Sequence, residues 1–105
     1  MIVDPSEQSK TDALEIARYI ACNNVTAALR FFGNLETTYD MLSEHPAMGH
    51  PPIFDFIDGL ETLAVKGFKY HQIFYHVLDD VIRIERVADV RRDLPALFAY
   101  MSEDG

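Results

Sequence analysis

A chain of 105 residues is long enough for one hydrophobic core and too short for a catalytic domain joined to a separate binding domain. With 49% apolar and 25% charged residues it lies far from the composition of disordered chains, and no uninterrupted apolar run approaches the ~20 residues needed to cross a bilayer. The formal charge of −8 argues against a general nucleic-acid coat protein, because non-specific attraction to phosphate backbones rests on clustered Lys and Arg.

"MIVDP" admits a short first strand, with Pro5 confined to an end or an edge because it lacks a backbone donor. In "TDALEIARYIACNN", Ala13, Leu14, Ile16, Ala17 and Ile20 share one side at helical spacing, while Asp12, Glu15 and Arg18 point elsewhere. This amphipathic helix closes at Asn23-Asn24. Asn24 then caps a second helix, "VTAALRFFGNLETTYDMLSEH", whose Ala28, Phe31, Phe32, Leu35, Tyr39 and Leu42 follow the i, i+3, i+4, i+7 pattern until Pro46 prevents continuation. Two helices joined by so few residues form an antiparallel hairpin. Gly33 inside the second helix costs ~1 kcal/mol against alanine, which predicts a close helix contact there.

"PAMGHPP" is the strongest breaker, and after it the period changes from helical to strand-like. "LETLAV" reads as a strand. "HQIFYHV" alternates His71, Ile73, Tyr75 and Val77 with Gln72, Phe74 and His76, and "LDDV" supplies a tight reversal. "VIRIERVAD" returns with Ile82, Ile84, Arg86 and Ala88 on one side and Val81, Arg83, Glu85 and Val87 on the other. "DLPALFAYM" ends the chain as a short helix capped by Asp93, with Pro95 in its first turn. The expected fold is a single α+β domain over residues 1–105: a helical hairpin packed on a three- to four-stranded antiparallel sheet, in the order β-α-α-β-β-β, with a short C-terminal helix.

The charge is unevenly placed. Residues 1–65 carry ten acids and three bases, whereas residues 66–93 carry five acids and six bases, four of them Arg83, Arg86, Arg91 and Arg92. A guanidinium binds carboxylates bidentately and keeps its charge when partly desolvated, so this cluster suits protein recognition as well as phosphate. The structural alternative is internal pairing with Glu85, Asp89 and Asp93. Arg91 and Arg92 leave the strand together, where a loop can present them. The single Cys22 excludes an intrachain disulfide and is expected as a small buried side chain on the first helix. His45, His50, His71 and His76 show no ligand spacing, so neither a metal nor a cofactor is expected, and the lack of a basic, apolar leader assigns the protein to the cytoplasm.

Taken in order, "DALEIARYI", "NNVTAALRF", "LSEHPAMG", "IFYHVLDDVIRIERV" and "RRD" resemble the ParE/RelE toxin superfamily of type II toxin–antitoxin systems, and more closely its ParE branch, which includes plasmid stabilisation proteins. The resemblance spans residues 6 to 98. Asp89 stands where that family often carries a histidine, and Val90 where it often carries glycine. The resemblance implies a toxin neutralised by a cognate antitoxin, acting by protein binding with DNA gyrase as the family target; the acidity of the chain adds the expectation that it makes no sequence-specific nucleic-acid contact of its own.

Two alternatives stay open: ribosome-dependent mRNA cleavage of the RelE kind, and an inactive relative that acts only within an antitoxin complex. Cleavage through a 2′-OH needs a base, an acid and cations. Arg83, Arg86, Arg91 and Arg92 would supply the cations and Tyr75, His71 or His76 the proton transfer, with His76 on the opposite strand face from the other two. For a binding protein the expected contact residues are Arg83, Arg86, Arg91, Arg92 and Tyr75. Tyr75 also reads as a core aromatic with its hydroxyl satisfied at an edge.

Overall fold

A computed structural model describes residues 1–52 and 57–99. The elements are β1 (Ile2–Pro5), α1 (Glu7–Ala21), α2 (Val25–Glu44), a 3-10 turn (Pro46–Met48), β2 (Glu61–Val65), β3 (Phe68–Leu78), β4 (Val81–Asp89) and α3 (Leu94–Leu97). Tyr100 and Met101, the end of the expected C-terminal helix, lie outside the described residues.

The α+β order and the helical hairpin stand as expected. α1 starts earlier than the apolar period indicates, because Ser6 caps it: the Ser6 hydroxyl accepts from the Ser9 N–H at 3.0 Å and itself donates to the Glu85 carbonyl at 2.9 Å. That second bond ties the start of the helix to β4. At the other end of the hairpin loop, the Asn24 side chain accepts from the Ala27 N–H at 2.9 Å, the expected cap. Cys22, at the end of α1, is exposed, contrary to its expected burial.

The four strands form one sheet in the order β1-β4-β3-β2. β2, β3 and β4 are antiparallel, whereas β1 adds parallel to β4, with Ile2 opposite Val81 and Pro5 opposite Ile84. The sheet is therefore mixed: the hairpin of helices carries the chain away from β1, and the final strand comes back along it in the same direction. Asp79 in the two-residue β3–β4 turn takes φ 54°, a left-handed conformation that aspartate tolerates.

Side chains on the two sheet faces build two cores. Beneath the hairpin lie Ala13, Ala17, Ala28, Phe31, Leu35, Leu42, Ile73, Tyr75, Ile82, Ile84 and Val87. On the reverse face Leu60, Phe74, Ala88, Leu94 and Phe98 pack together, with the Phe74 and Phe98 rings edge to face at 5.1 Å. α3 thus closes the second face, and the Asp93 carboxylate caps it by accepting from the Ala96 N–H at 3.3 Å.

Three expected helix faces are corrected. Leu14 is 44% exposed and Asp12 is 5% exposed, so α1 is rotated to bury a carboxylate that the apolar period assigns to solvent. Phe32 lies at the margin of the core, 39% exposed. Gly33 is exposed, and a Cβ there would meet nothing within 4 Å, so no helix contact inside the domain explains it. Gly33→Ala should accordingly stabilise the free protein by ~0.5–1 kcal/mol, read as a raised midpoint in urea with an unchanged slope.

Candidate functional site

β4 bears Arg83 and Arg86, with Arg91 and Arg92 just after its end, and a bulge decides where the strand's side chains point. The β3–β4 register passes from Phe74 opposite Arg86 to Tyr75 opposite Ile84, leaving Glu85 as the additional residue. Strict alternation would put Val87 opposite in face to Ile82 and Ile84; after the bulge all three face the hairpin. Arg83 remains on the reverse face, 3.6 Å from Asp4 and 3.9 Å from Glu85.

Arg86 is not available to a partner. Its Nε donates to Asp12 Oδ2 at 2.7 Å and its Nη2 to Oδ1 at 2.8 Å, a bidentate pair with both side chains nearly buried, while Nη1 donates to the Leu97 carbonyl at 2.8 Å. Asp12 Oδ2 also accepts from the Val87 N–H at 3.1 Å. β1 ends opposite Ile84, so the outer edge of β4 has no strand beyond that point, and Asp12 from α1 takes its place. A buried pair of this kind fixes geometry more than it adds stability, but losing one partner strands the other charge.

Past Asp12 the β4 edge opens into a cleft of about 380 Å³, walled by Ile16, Tyr19 and Ile20 of α1 and lined by Val87, Asp89, Arg91 and Arg92, with His71 from β3. The Val90 N–H bonds the Tyr70 carbonyl, so Arg86, Ala88 and Val90 present their backbone groups to β3 while Val87 and Asp89 present theirs to the cleft. The Asp89 carbonyl is taken by the Arg92 N–H at 3.1 Å. Among the described residues, the Val87 carbonyl and the Asp89 N–H have no partner.

The rim is of mixed charge, with Arg91 and Arg92 lining it beside Asp89 and Glu15. Arg91 donates to Asp89 through Nε at 2.9 Å and Nη2 at 2.6 Å, and its Cζ lies 4.2 Å from the Tyr70 ring centroid, a cation–π contact. Hydrogen bonding from Arg91 is the first cause that lowers the Asp89 carboxyl from 3.8 to about 2. The Arg92 guanidinium is exposed and forms no ion pair among the described residues. His71 lies edge to face with Phe31 at 5.6 Å and Phe68 at 6.1 Å, and this burial pushes its pKa below the usual histidine value, so the ring is neutral at neutral pH.

The other expected proton carriers lie elsewhere. Tyr75 is wholly buried, its hydroxyl 3.5 Å from the Pro46 carbonyl and packed so tightly on Gly49 that a Cβ there would overlap it; burial raises its pKa. His76 is on the reverse face, Nδ1 3.0 Å from Glu85 Oε2 and Nε2 3.1 Å from the Asp58 carbonyl. Of the expected site residues, the fold brings together only His71, Arg91 and Arg92. Asp12, Glu15, Ile16 and Tyr19, which complete the cleft, were not expected as site residues, and nothing in "SKTDALE" sets Asp12 apart from a solvent-facing carboxylate. Among the described residues no group of three or more His, Cys, Asp or Glu is placed to hold a metal, and no helix is long and apolar enough to cross a membrane.

The family model described as the ParE toxin of the type II toxin–antitoxin system parDE matches residues 3–94, from β1 to the first residue of α3. The chain belongs to the ParE toxin family. Among solved structures, one described as "Chromosomal ParDE TA system from P. aeruginosa" is similar at a TM-score of 0.70 and 18% identity, covering 86% of this chain and 96% of that one. At that identity the likeness speaks for the fold. A comparison with curated protein sequences finds no match. In this ParE family member the family-model match runs through the bulge, the Asp12–Arg86 pair and Arg91–Arg92, so the whole cleft falls within the matched region.

Two outcomes follow from this geometry. Asp12→Ala leaves the Arg86 guanidinium buried without its carboxylate and should cost about 3–5 kcal/mol in chemical denaturation, whereas Asp12→Ala with Arg86→Met should recover much of that loss. The Asp89 carboxyl should titrate at about 2 by NMR in the intact protein and return towards 3.8 in Arg91→Ala. Because the folded pKa is the lower one, the stability contributed by this exposed pair is complete above about pH 4 and vanishes as pH falls through 2.

Proposed function

We propose that this chain is the toxin of a type II toxin–antitoxin pair, that it acts by protein binding with DNA gyrase as its target, and that a cognate antitoxin neutralises it by occupying the α1–β4 cleft. The observation that carries this reading is the open edge of β4. Among the described residues, a Val87 carbonyl and an Asp89 N–H without partners lie on the floor of a cleft with an apolar wall at Ile16 and Ile20 and, at Arg92, a cation that forms no ion pair. An extended segment can add there as a strand, place an apolar side chain on α1 and set a carboxylate against Arg92.

Protein binding is favoured over RNA cleavage by the placement of the proton carriers. Tyr75 is enclosed and His76 is on the far face, so of these three proton carriers His71 alone lines the cleft, where Asp12 and Asp89 are held by arginines and Glu15 and Tyr19 come from α1. The net charge of −8 also opposes approach to RNA.

The test is co-expression with the product of the adjacent small reading frame. The chain alone should arrest growth with gyrase-dependent DNA breaks and intact transcripts, and the partner should relieve the arrest through a stable complex. Arg92→Ala should keep the melting temperature and weaken that complex about tenfold or more, the scale of one charge-assisted contact. New transcript ends within translated codons would replace this reading with ribosome-dependent cleavage, and an Arg92→Ala protein of full affinity would move the antitoxin out of the cleft.

A further inference from the structure

Helix α2 carries two apolar faces, and the hairpin uses one of them. Ala28, Phe31, Leu35 and Leu42 point into the core, whereas Val25, Leu29 and Phe32 recur at i, i+4 and i+7 on the other side and are 64%, 68% and 39% exposed. Single exposed apolar residues are ordinary, but three aligned on one helix face form a ridge. Gly33 lies beside this ridge with open space over its Cα. Only proline suits a helix interior less well than glycine, and a bare stretch of backbone on an exposed ridge allows a second helix to approach closely.

Towards its C-terminal end the same side of α2 becomes acidic. Glu36 and Asp40 follow the ridge and line a groove of about 530 Å³ between α2 and the outer edge of β1, whose Ile2 is 66% exposed. In that groove the Met1 nitrogen donates to the Ser43 carbonyl at 2.8 Å, and neither Glu36 nor Asp40 forms an ion pair among the described residues.

These two halves specify the occupant. It must bring apolar side chains to Val25, Leu29 and Phe32 and cations to Glu36 and Asp40. A second copy of this chain is a poor match: an antiparallel crossing at Gly33 would set the acidic end of each α2 against the apolar end of the other, a parallel one would set carboxylates against carboxylates, and either would join two chains of charge −8. We propose that the outer face of α2 is a docking surface for a basic amphipathic helix of a protein partner, crossing at Gly33 with its lysines or arginines reaching Glu36 and Asp40. This surface is separate from the α1–β4 cleft, which none of these residues lines.

The probe is a synthetic amphipathic helix with a leucine face followed by lysines on the same side, titrated into the isotope-labelled full chain. NMR shifts should centre on Val25, Leu29, Phe32 and Gly33 and extend to Glu36 and Asp40. Leu29→Asp should weaken binding about tenfold or more at an unchanged melting temperature, the effect of losing one apolar anchor. Gly33→Gln should weaken it similarly while the melting temperature holds or rises, a divergence that a purely structural glycine would not produce. Arg92→Ala should leave this binding unaltered, which separates it from the antitoxin cleft. The proposal is overturned if the lysines can be exchanged for glutamates without loss, if the shifts fall in the α1–β4 cleft, or if the protein alone forms a dimer that Leu29→Asp abolishes.

Discussion

The Asp12 carboxylate does the work that a longer first strand would otherwise do. β1 is only four residues long and leaves the β4 edge uncovered beyond Ile84. An exposed edge of this kind invites pairing with another chain, and an unpaired donor under a helix is costly. Asp12 accepts the Val87 N–H, and because a buried carboxylate needs its own counter-charge, Arg86 closes around it and continues to the Leu97 carbonyl. One ion pair thereby connects α1, the interior of β4 and the end of α3. It also marks the boundary of the cleft: before it the edge is sealed, and after it the edge is open.

That arrangement explains which parts of the fold can be read from sequence. The helical hairpin was legible because Ala28, Phe31, Leu35 and Leu42 keep an uninterrupted 3.6-residue period and Asn24 and Pro46 punctuate it. The β3–β4 ribbon was legible from alternation and the Asp79-Asp80 reversal. The direction of β1 was not, since four residues of strand carry no mark of parallel or antiparallel pairing, and partner choice depends on where the hairpin returns the chain. Ser6 was a readable cap that the apolar period concealed, because the first turn of α1 is polar throughout.

The site was less legible than the fold, for a single local reason. A bulge at Glu85 shifts the alternation of β4 by one residue, and no residue type in "RIERV" announces it. Four arginines that look like a patch therefore separate into a buried strut at Arg86, a reverse-face surface charge at Arg83, and a rim pair at Arg91 and Arg92. Only the rim pair belongs to the cleft. Asp12 was assigned to solvent because a helical wheel cannot foresee a strand edge that lacks a neighbour. Tyr75 followed its alternation into the core, where the tight approach of Gly49 leaves its ring no room to reorient.

The position of β4 between β1 and β3 has a consequence for biosynthesis. Ile2 pairs with Val81, so the amino-terminal segment finds its sheet partner only after some eighty further residues, through the start of β4, have emerged from the ribosome. A nascent fragment that stops at the hairpin of helices has a leading strand without its neighbour. The floor of the α1–β4 cleft exists only once β4 has been made.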